Sequence, residues 1–287
     1  MKHGALSLRT EPPLTPAVIG RAATLALHDE LSLAPKPGLV TLIDSGSHED
    51  MDAHTFMRSL FSLRRYFAQI AEAGASGAEF DVLERHGIAA EARMLAATGG
   101  VNTHRGAIFM LGLLCAAAGT VCREHGAAPH PEQLRDALRR RWGHALAARS
   151  RRAPVLPGGI AARQHHLRGA SEEAALAFPV LFETALPAMR RGIARGLTPS
   201  QTRIDTLFHI VAVLDDSNLA HRGGLDSLRW AQRAAREFLD LGGIARPRGL
   251  QEAQAIADDF VLRRLSPGGA ADTLAAACWI GRLCPMP

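Results

Sequence analysis

The amino-acid sequence predicts an all-α protein, a single multi-helix domain whose ligand site is built from glycine-rich turns between helices. Alanine and leucine are abundant, whereas tyrosine occurs once in 287 residues, and this composition favours helix over sheet. Apolar residues recur at helical spacing in most segments between turns. Three Gly-Gly pairs lie beside charged residues at predicted helix junctions. Because no predicted strand precedes them, the common strand–loop–helix nucleotide folds are disfavoured.

The boundaries of these helical patterns define the domain organisation. Residues 1–15 are predicted to form a flexible N-terminal tail, and residues 16–287 the single helical domain. The predicted helices are 16–33, 53–73, 80–97, 104–118, 131–148, 170–194, 199–216, 225–242, 249–265 and a last helix from residue 266. The arginine-rich region 123–168 separates two halves, and within it residues 149–165 are predicted to form a mobile loop.

Cap residues support the starts of the first and last helices. Thr15 is placed as an N-cap with Pro16 at the first helical position. Ser266 and Pro267 repeat this pattern, which places Asp272 on the first full turn of the last helix.

The first helix ends in two acids, and a rigid loop follows it. The carboxylates of Asp29 and Glu30 interact unfavourably with the helix dipole, which costs about 0.3–1 kcal/mol of stability each. A nearby cation would offset this cost. Prolines hold Lys36 on the loop, and Gly38 lets the backbone turn close to another segment. Surface exposure of the two acids is the alternative.

An acidic stretch, residues 44–52, precedes the second helix. It contains four acids and His48, and Asp50 and Asp52 have the hard oxygen ligands that divalent cations prefer. The competing interpretation is an acidic loop that caps the next helix.

The turn between Ala97 and Phe109 is the densest group of polar residues and glycines in the chain. Asn102 and Thr103 are suited to capping the helix that starts near His104. The helix dipole disfavours cationic side chains at a helix N-terminus, where His104 and Arg105 are placed. A phosphate bound there would make their interaction favourable. An ordinary helix connection with good caps is the alternative.

Composition bounds the class of protein. The formal charge of +5 and a pI near 9.5 point to anionic partners without separating nucleic acid from phosphorylated small molecules. Four cysteines without close pairing are predicted to be buried free thiols. The apolar run 108–122 is shorter than the ~20 residues of a membrane span, so it predicts a core helix. We therefore expect a cytoplasmic protein that does not bind a membrane, and the acids that lie close to most basic motifs lead us to expect no nucleic-acid partner.

Five motifs resemble the triphosphoribosyl-dephospho-CoA synthase family, in family order over about residues 20–280. They are Lys36–Val40, His48 with Asp50-Met51, Ala97–Phe109, Arg222–Gly224 and Ser266–Asp272. The central Thr-Gly-Gly-Val-Asn-Thr-His-Arg-Gly-Ala stretch is highly specific, and the other motifs are weak singly. The resemblance implies an all-helical fold and a reaction that joins ATP to 3′-dephospho-CoA with release of adenine. The implied product is the prosthetic-group precursor for the acyl carrier protein of malonate decarboxylase or citrate lyase, and we expect the malonate decarboxylase branch.

Motif positions then give hypotheses for individual residues. Glu30, Glu91 or Asp272 is the candidate general base, and His104 a hydrogen-bond donor to adenine or phosphate. Asp50, Asp215 and Asp216 are the candidate ligands of the Mg²⁺ expected with ATP. The remaining candidates share the task of holding substrate phosphates: Lys36, Gly38, Gly99, Gly100, Asn102, Thr103, Arg105, Gly106, Arg222, Gly223, Gly224, Ser266, Gly268 and Gly269.

Two other functions compete with this assignment. A nucleotide hydrolase or kinase would use the same phosphate site. A basic helical nucleic-acid-binding protein fits the pI, but here acids lie close to most basic motifs. Beyond ATP and dephospho-CoA, we expect only indirect partners, the downstream transferase and the acyl carrier protein, and a homodimer is the candidate assembly.

Overall fold

A computed structural model of the chain describes residues 14–284, and these residues form helices without any strand. The α-helices are α1 Pro16–Leu31, α2 Ala53–Ala75, α3 Phe80–Thr98, α4 Arg105–His125, α5 Pro131–Ser150, α6 Pro157–Gln164, α7 Ala170–Ala175, α8 Leu186–Ala194, α9 Pro199–Val211, α10 Ser217–Asp240, α11 Gly249–Leu262 and α12 Gly268–Leu283. The all-α prediction is confirmed. The predicted tail, residues 1–15, lies almost wholly outside the described residues.

Helices α4 and α12 form the centre of the domain. α4 packs against α1, α2, α3, α5 and α12, and α12 also packs against α1 and α9. α4 has 21 residues, longer than the apolar run suggested, and it is apolar and long enough to cross a membrane. Most of α4 is buried inside the protein, so it serves as the core helix that the sequence predicted.

Small residues let α2 and α4 pack closely. A Cβ on Gly74 would overlap the carbonyl of Ala116, and one on Gly119 would overlap the carbonyl of Ala71. Thr120 adds a hydrogen bond to the Gly74 carbonyl at 3.0 Å. The core is therefore built on backbone-to-backbone contact as well as on side-chain burial.

The close approach at Gly119 gives a stability prediction. Gly119→Ala is expected to lower the free energy of unfolding by about 1–3 kcal/mol, because the added methyl forces the two backbones apart. Gly143→Ala in α5 is the matched control, since no atom of another described segment lies within 4 Å of its Cβ position, and helix propensity should stabilise it by up to about 1 kcal/mol. Urea denaturation measures both, and equal stability of the two variants would contradict the packing argument.

Two predicted helices and one predicted loop are corrected by the structure. The predicted helix 170–194 is interrupted, because Ala177 and Phe178 adopt positive φ and a π-helical turn, Val180–Ala185, precedes α8. Residues 149–165 do not form one loop, since Arg149 and Ser150 end α5 and residues 157–164 form α6. The predicted helix 199–216 ends at Val211.

The last two corrections concern helix starts near the predicted site. α10 begins before the Gly223-Gly224 pair, and that pair breaks it, with Gly224 at φ 71°. α12 begins at Gly268 with Pro267 at the N-cap position and no side-chain cap. The predicted capping role of Ser266 is therefore wrong.

Candidate active site

Four helix ends meet at one region, which we call the convergent site: the C-terminus of α1 and the N-termini of α4, α10 and α12. The loop that follows α1, residues 32–52, lies against it. Residues of all five sequence motifs make contacts at this site. Most of these contacts join segments that are far apart in the chain.

Lys36 and Glu30 form a buried ion pair at the convergent site. Lys36 Nζ lies 2.5 Å from Glu30 Oε1 and donates a second bond to the Glu30 backbone carbonyl at 2.8 Å. Both side chains are almost fully buried. Burial lowers the pKa of Lys36, and the Glu30 carboxylate opposes that shift. The cation expected beside the acids at the end of α1 is thus Lys36 for Glu30, while Arg203 and Arg282 pair with Asp29.

Asp272 places its carboxyl group against the N-terminus of α4. A Cβ on Gly106 would overlap the Asp272 carboxylate, so glycine is required there, and the Ala107 N–H donates to it. Asp272 is partly accessible. Removal from water raises the pKa of Asp272 well above its usual value, and the charges of Glu30 and Asp216 raise it further. A carboxyl group whose protonated form is favoured in this way is suited to act as a proton donor.

Asp216 joins the N-termini of α10 and α12. Its Oδ1 accepts from Asn218 N at 2.9 Å, as the N-cap of α10, and its Oδ2 accepts from Ala270 N at 3.0 Å. Gly268 and Gly269 allow this approach, since a Cβ on Gly269 would lie 3.2 Å from the Asp216 carboxylate. Burial raises the pKa of Asp216. Both carboxylate oxygens therefore have structural partners.

Arg222, His48 and Ser266 form a hydrogen-bonded chain. Arg222 Nη2 donates to His48 Nδ1 at 3.1 Å, and His48 Nε2 lies 2.9 Å from Ser266 Oγ. Arginine only donates, so His48 carries its proton on Nε2 and donates to Ser266. Burial and the charge of Arg222 lower the pKa of His48. Ser266 is therefore an acceptor in this chain, and within residues 14–284 its own hydroxyl proton has no acceptor.

The same region shows why Gly38 and Arg222 occupy their positions. Gly38 adopts φ 61°, and a Cβ there would overlap the Leu265 carbonyl, which confirms the predicted close approach. Arg222 Nη1 donates to the carbonyls of Ser47 and Arg264, each at 3.2 Å. The predicted phosphate ligand thus already ties the loop after α1 to the start of α12.

His104 is buried at the N-terminus of α4. Its Nδ1 lies 2.6 Å from Ser59 Oγ, its backbone N–H donates to Met94 Sδ, and its ring packs edge-on to Phe56. Burial, aided by the charge of Lys36, lowers the pKa of His104 to about 3. The ring is therefore neutral, and the predicted dipole cost of a cation at this position does not apply to it.

The glycine turn before α4 is open to solvent on one side. Gly99 and Gly100 have φ of 69° and 92°, and, apart from the adjoining residues, no atom of residues 14–284 lies within 4 Å of either Cβ position. Asn102 Oδ1 accepts from Arg105 N at 3.2 Å, which confirms it as a cap. Thr103 instead bonds Ser59, so its predicted capping role is wrong. Arg105 lies 2.6 Å from the Glu91 carboxylate, which already compensates its charge.

The three aspartates predicted to bind Mg²⁺ are not brought together as a metal cage. Over residues 14–284, no group of three or more His, Cys, Asp or Glu side chains is placed to hold a metal ion. Asp215 Oδ2 accepts from Arg168 N at 3.1 Å, and both oxygens of Asp216 are bonded to backbone. Asp50 is the exposed member, with Oδ1 3.6 Å from His48 Nδ1. The residues present do not fit a preformed Mg²⁺ site.

Sequence reasoning missed Ser59 as a member of the site. Ser59 lies inside an amphipathic helix with no motif around it, and only the packing of α2 on α4 brings it to His104. His48 was noted as a motif residue without a role, and its position between Arg222 and Ser266 gives it one.

Residues 16–286 match the family described as CitG: ATP:dephospho-CoA triphosphoribosyl transferase. A protein of Azotobacter vinelandii named "Probable 2-(5''-triphosphoribosyl)-3'-dephosphocoenzyme-A synthase" is 40% identical over 282 residues, 94% of each chain. Proteins with the same name in Acinetobacter calcoaceticus and Citrobacter koseri are each 36% identical, over 88% and 90% of this chain and 86% and 88% of their own. No solved structure matches.

Proposed function

Because this chain belongs to the ATP:dephospho-CoA triphosphoribosyl transferase family, we propose that it transfers the triphosphoribosyl group of ATP to the 2′-hydroxyl of 3′-dephospho-CoA and releases adenine. The observation that carries the proposal is the position of Asp272, a carboxyl group with a raised pKa at the N-terminus of α4 beside the Lys36–Glu30 pair. N-glycosidic cleavage needs a proton donor for the departing base, and helix N-termini favour phosphate.

We assign the acid and base from the environments of the carboxyl groups. Asp272 was a candidate base, but removal from water and the charges of Glu30 and Asp216 raise its pKa and favour its protonated form, so we assign it as the acid that protonates adenine. Glu30, the buried neighbour, is assigned as the base that accepts the 2′-hydroxyl proton. Glu91 is less suited, because it lies away from this pair in a half-exposed contact with Arg105.

The step is a single displacement at C1′ of the ATP ribose. The bond from C1′ to the 2′-oxygen forms as the bond to adenine N9 breaks, one proton passing to Glu30 and one leaving Asp272. One displacement inverts the carbon, as in inverting glycosidases, so the product is expected to carry an α linkage in place of the β linkage of ATP. A nearby carboxylate also stabilises the cationic character of the transition state.

Substrate phosphates would be held by the cations and helix N-termini of the convergent site. Lys36 would exchange its contact with Glu30 for a phosphate oxygen, which frees the base. Ser266 has a hydroxyl proton available, and Arg105 lies at the open glycine turn. We propose that Mg²⁺ arrives bound to the ATP phosphates and meets at most the exposed Asp50, since Mg²⁺ commonly keeps waters and phosphate ligands.

Identifying the fragment released from ATP tests this function. Incubation with ATP and dephospho-CoA is expected to yield adenine, resolved by liquid chromatography, and a product heavier than dephospho-CoA by a triphosphoribosyl group. ADP would indicate a kinase, phosphate release a hydrolase, and neither adenine nor adduct would refute the proposal. Dephospho-CoA that lacks the 2′-hydroxyl is the control and should give no adduct.

We further propose that the product serves malonate decarboxylase, in the cytoplasm, through the downstream transferase and acyl carrier protein. Supply of the product with each apo carrier protein and its transferase separates this branch from citrate lyase. Loading of only the citrate lyase carrier would overturn the assignment.

A further inference from the structure

We infer that Ser59 is a positioning residue of the active site: its hydroxyl, in a relay from Thr103, holds His104 in the tautomer that presents Nε2–H to a bound nucleotide. Ser59 is fully buried in α2. None of the five motifs has a residue in this helix. The catalytic half of this inference rests on the proposed function, and the tautomer stands independently of it.

The direction of the relay is set by the hydroxyl at its start, Thr103, which we assign as the donor to Ser59. Thr103 Oγ1 donates to Ser59 Oγ at 2.7 Å, and Ser59 Oγ lies 2.6 Å from His104 Nδ1. A serine hydroxyl has one proton, so Ser59, having accepted from Thr103, donates to His104. Nδ1 is then the acceptor and the single ring proton of the neutral imidazole lies on Nε2.

His104 Nε2 has no partner within the described part of the chain, although it is buried. Buried polar atoms are nearly always hydrogen-bonded, and an exception needs an explanation. The ring is held on its other sides by Phe56, by Ser59 and by the Met94 contact to its backbone. His104 Nε2 is therefore a fixed donor without a protein acceptor among the described residues, in the region of Lys36 and Asp272. A substrate atom that accepts from Nε2 explains this arrangement.

The neutral ring restricts what that donor can do. With a pKa of about 3, His104 does not act as an imidazolium acid at neutral pH. It gives a hydrogen bond from Nε2, either to a ring nitrogen of adenine or to a phosphate oxygen of ATP. The relay would then orient the leaving group or the phosphates without supplying a proton.

The first test measures the tautomer in the protein alone. Two-bond proton–nitrogen NMR spectra of ¹⁵N-histidine-labelled protein, with the His104 signals identified by their loss in His104→Gln, are expected to show a proton on Nε2. In Ser59→Ala and Thr103→Val the two tautomers should mix. Ser62→Ala is the matched control, because Ser62 lies one turn along α2 and, among the described residues, its hydroxyl bonds only the Ser59 carbonyl, and it should leave the His104 signals unchanged.

The second test separates positioning from folding. Ser59→Ala is expected to lower kcat about 10- to 100-fold, with KM changed much less. This is the range seen when the hydrogen-bond partners of metal-ligating histidines are removed. Ser62→Ala should retain wild-type kcat. A His104 proton on Nδ1 in the wild type, or Ser59→Ala with wild-type tautomer and kcat, would overturn the inference.

Titration with product fragments identifies the acceptor. Adenine and tripolyphosphate are added separately, and the compound that shifts the Nε2 resonance identifies the group that accepts from His104. If neither compound shifts it, His104 does not face the substrate and the inference is overturned. If the wild type released no adenine at all while Nε2 carried the proton, the proposed function would fail and the tautomer would stand. An active wild type with the proton on Nδ1 would remove only this inference.

Discussion

Asp272→Asn is expected to lower the rate of adenine release about 10²- to 10⁴-fold, the usual contribution of a general acid or base, without weakening the fold. Asparagine keeps the shape of the protonated carboxyl group and can still accept from the Ala107 N–H. It cannot supply the proton that departing adenine needs. The measurement is single-turnover adenine release with dephospho-CoA in excess.

The same variant has a distinctive dependence of stability on pH. Because the pKa of Asp272 is raised in the folded state, folded protein binds more protons than unfolded protein above the unfolded pKa of about 3.9. Wild-type stability therefore falls as pH rises from that value through the folded pKa. Asp272→Asn abolishes this term, so its stability relative to wild type should increase with pH from about 4 upward.

A matched control separates chemistry from the burial of a carboxyl group. Asp205 is buried in α9 and faces His209 at 3.5 Å, outside the convergent site. Asp205→Asn should keep near-normal adenine release. Thermal unfolding over a pH series measures stability for both variants. If Asp272→Asn retained activity within a few fold of wild type, Asp272 would not be the acid.

Local signals in the sequence were enough for the helices and for several site contacts. Glycine and proline punctuation located most helix ends, and the acids at the end of α1 correctly indicated nearby cations. The close approach of Gly38 and the Asn102 cap were also predictable, since each depends on the backbone conformation of a few consecutive residues.

Contacts between distant segments could not be predicted in this way. Ser266 was assigned as a cap because its local pattern fits one, yet its hydroxyl bonds His48, 218 residues earlier. Asp216 was assigned to a metal because aspartates commonly bind Mg²⁺, and only the arrangement of α10 on α12 shows that both its oxygens are bonded to backbone. Ser59 carries no local signal at all. Helix packing, which the spacing of apolar residues does not specify, decides these roles.

Lys36→Met is expected to destabilise the protein by about 3–5 kcal/mol, because it leaves the Glu30 carboxylate buried without its cation. Lys36 is 4% exposed and Glu30 5% exposed, so water cannot replace the lost partner. The free energy of unfolding from urea denaturation is the measurement. Arg282→Met is the matched control: it breaks the half-exposed contact to Asp29, the residue next to Glu30, and should cost no more than about 1 kcal/mol.

The double variant Glu30→Met/Lys36→Met separates the role of the pair in folding from its role in catalysis. Replacement of a buried ion pair by apolar side chains is often neutral for stability, so the double variant should regain most of what Lys36→Met loses. The double variant should release no adenine, because the proposed base Glu30 and the proposed phosphate ligand Lys36 are both absent. Removal of the Glu30 charge should also lower the pKa of Asp272, which reduces the fall of stability with pH. A double variant as unstable as Lys36→Met, or one that releases adenine at the wild-type rate, would contradict the assignment of this pair.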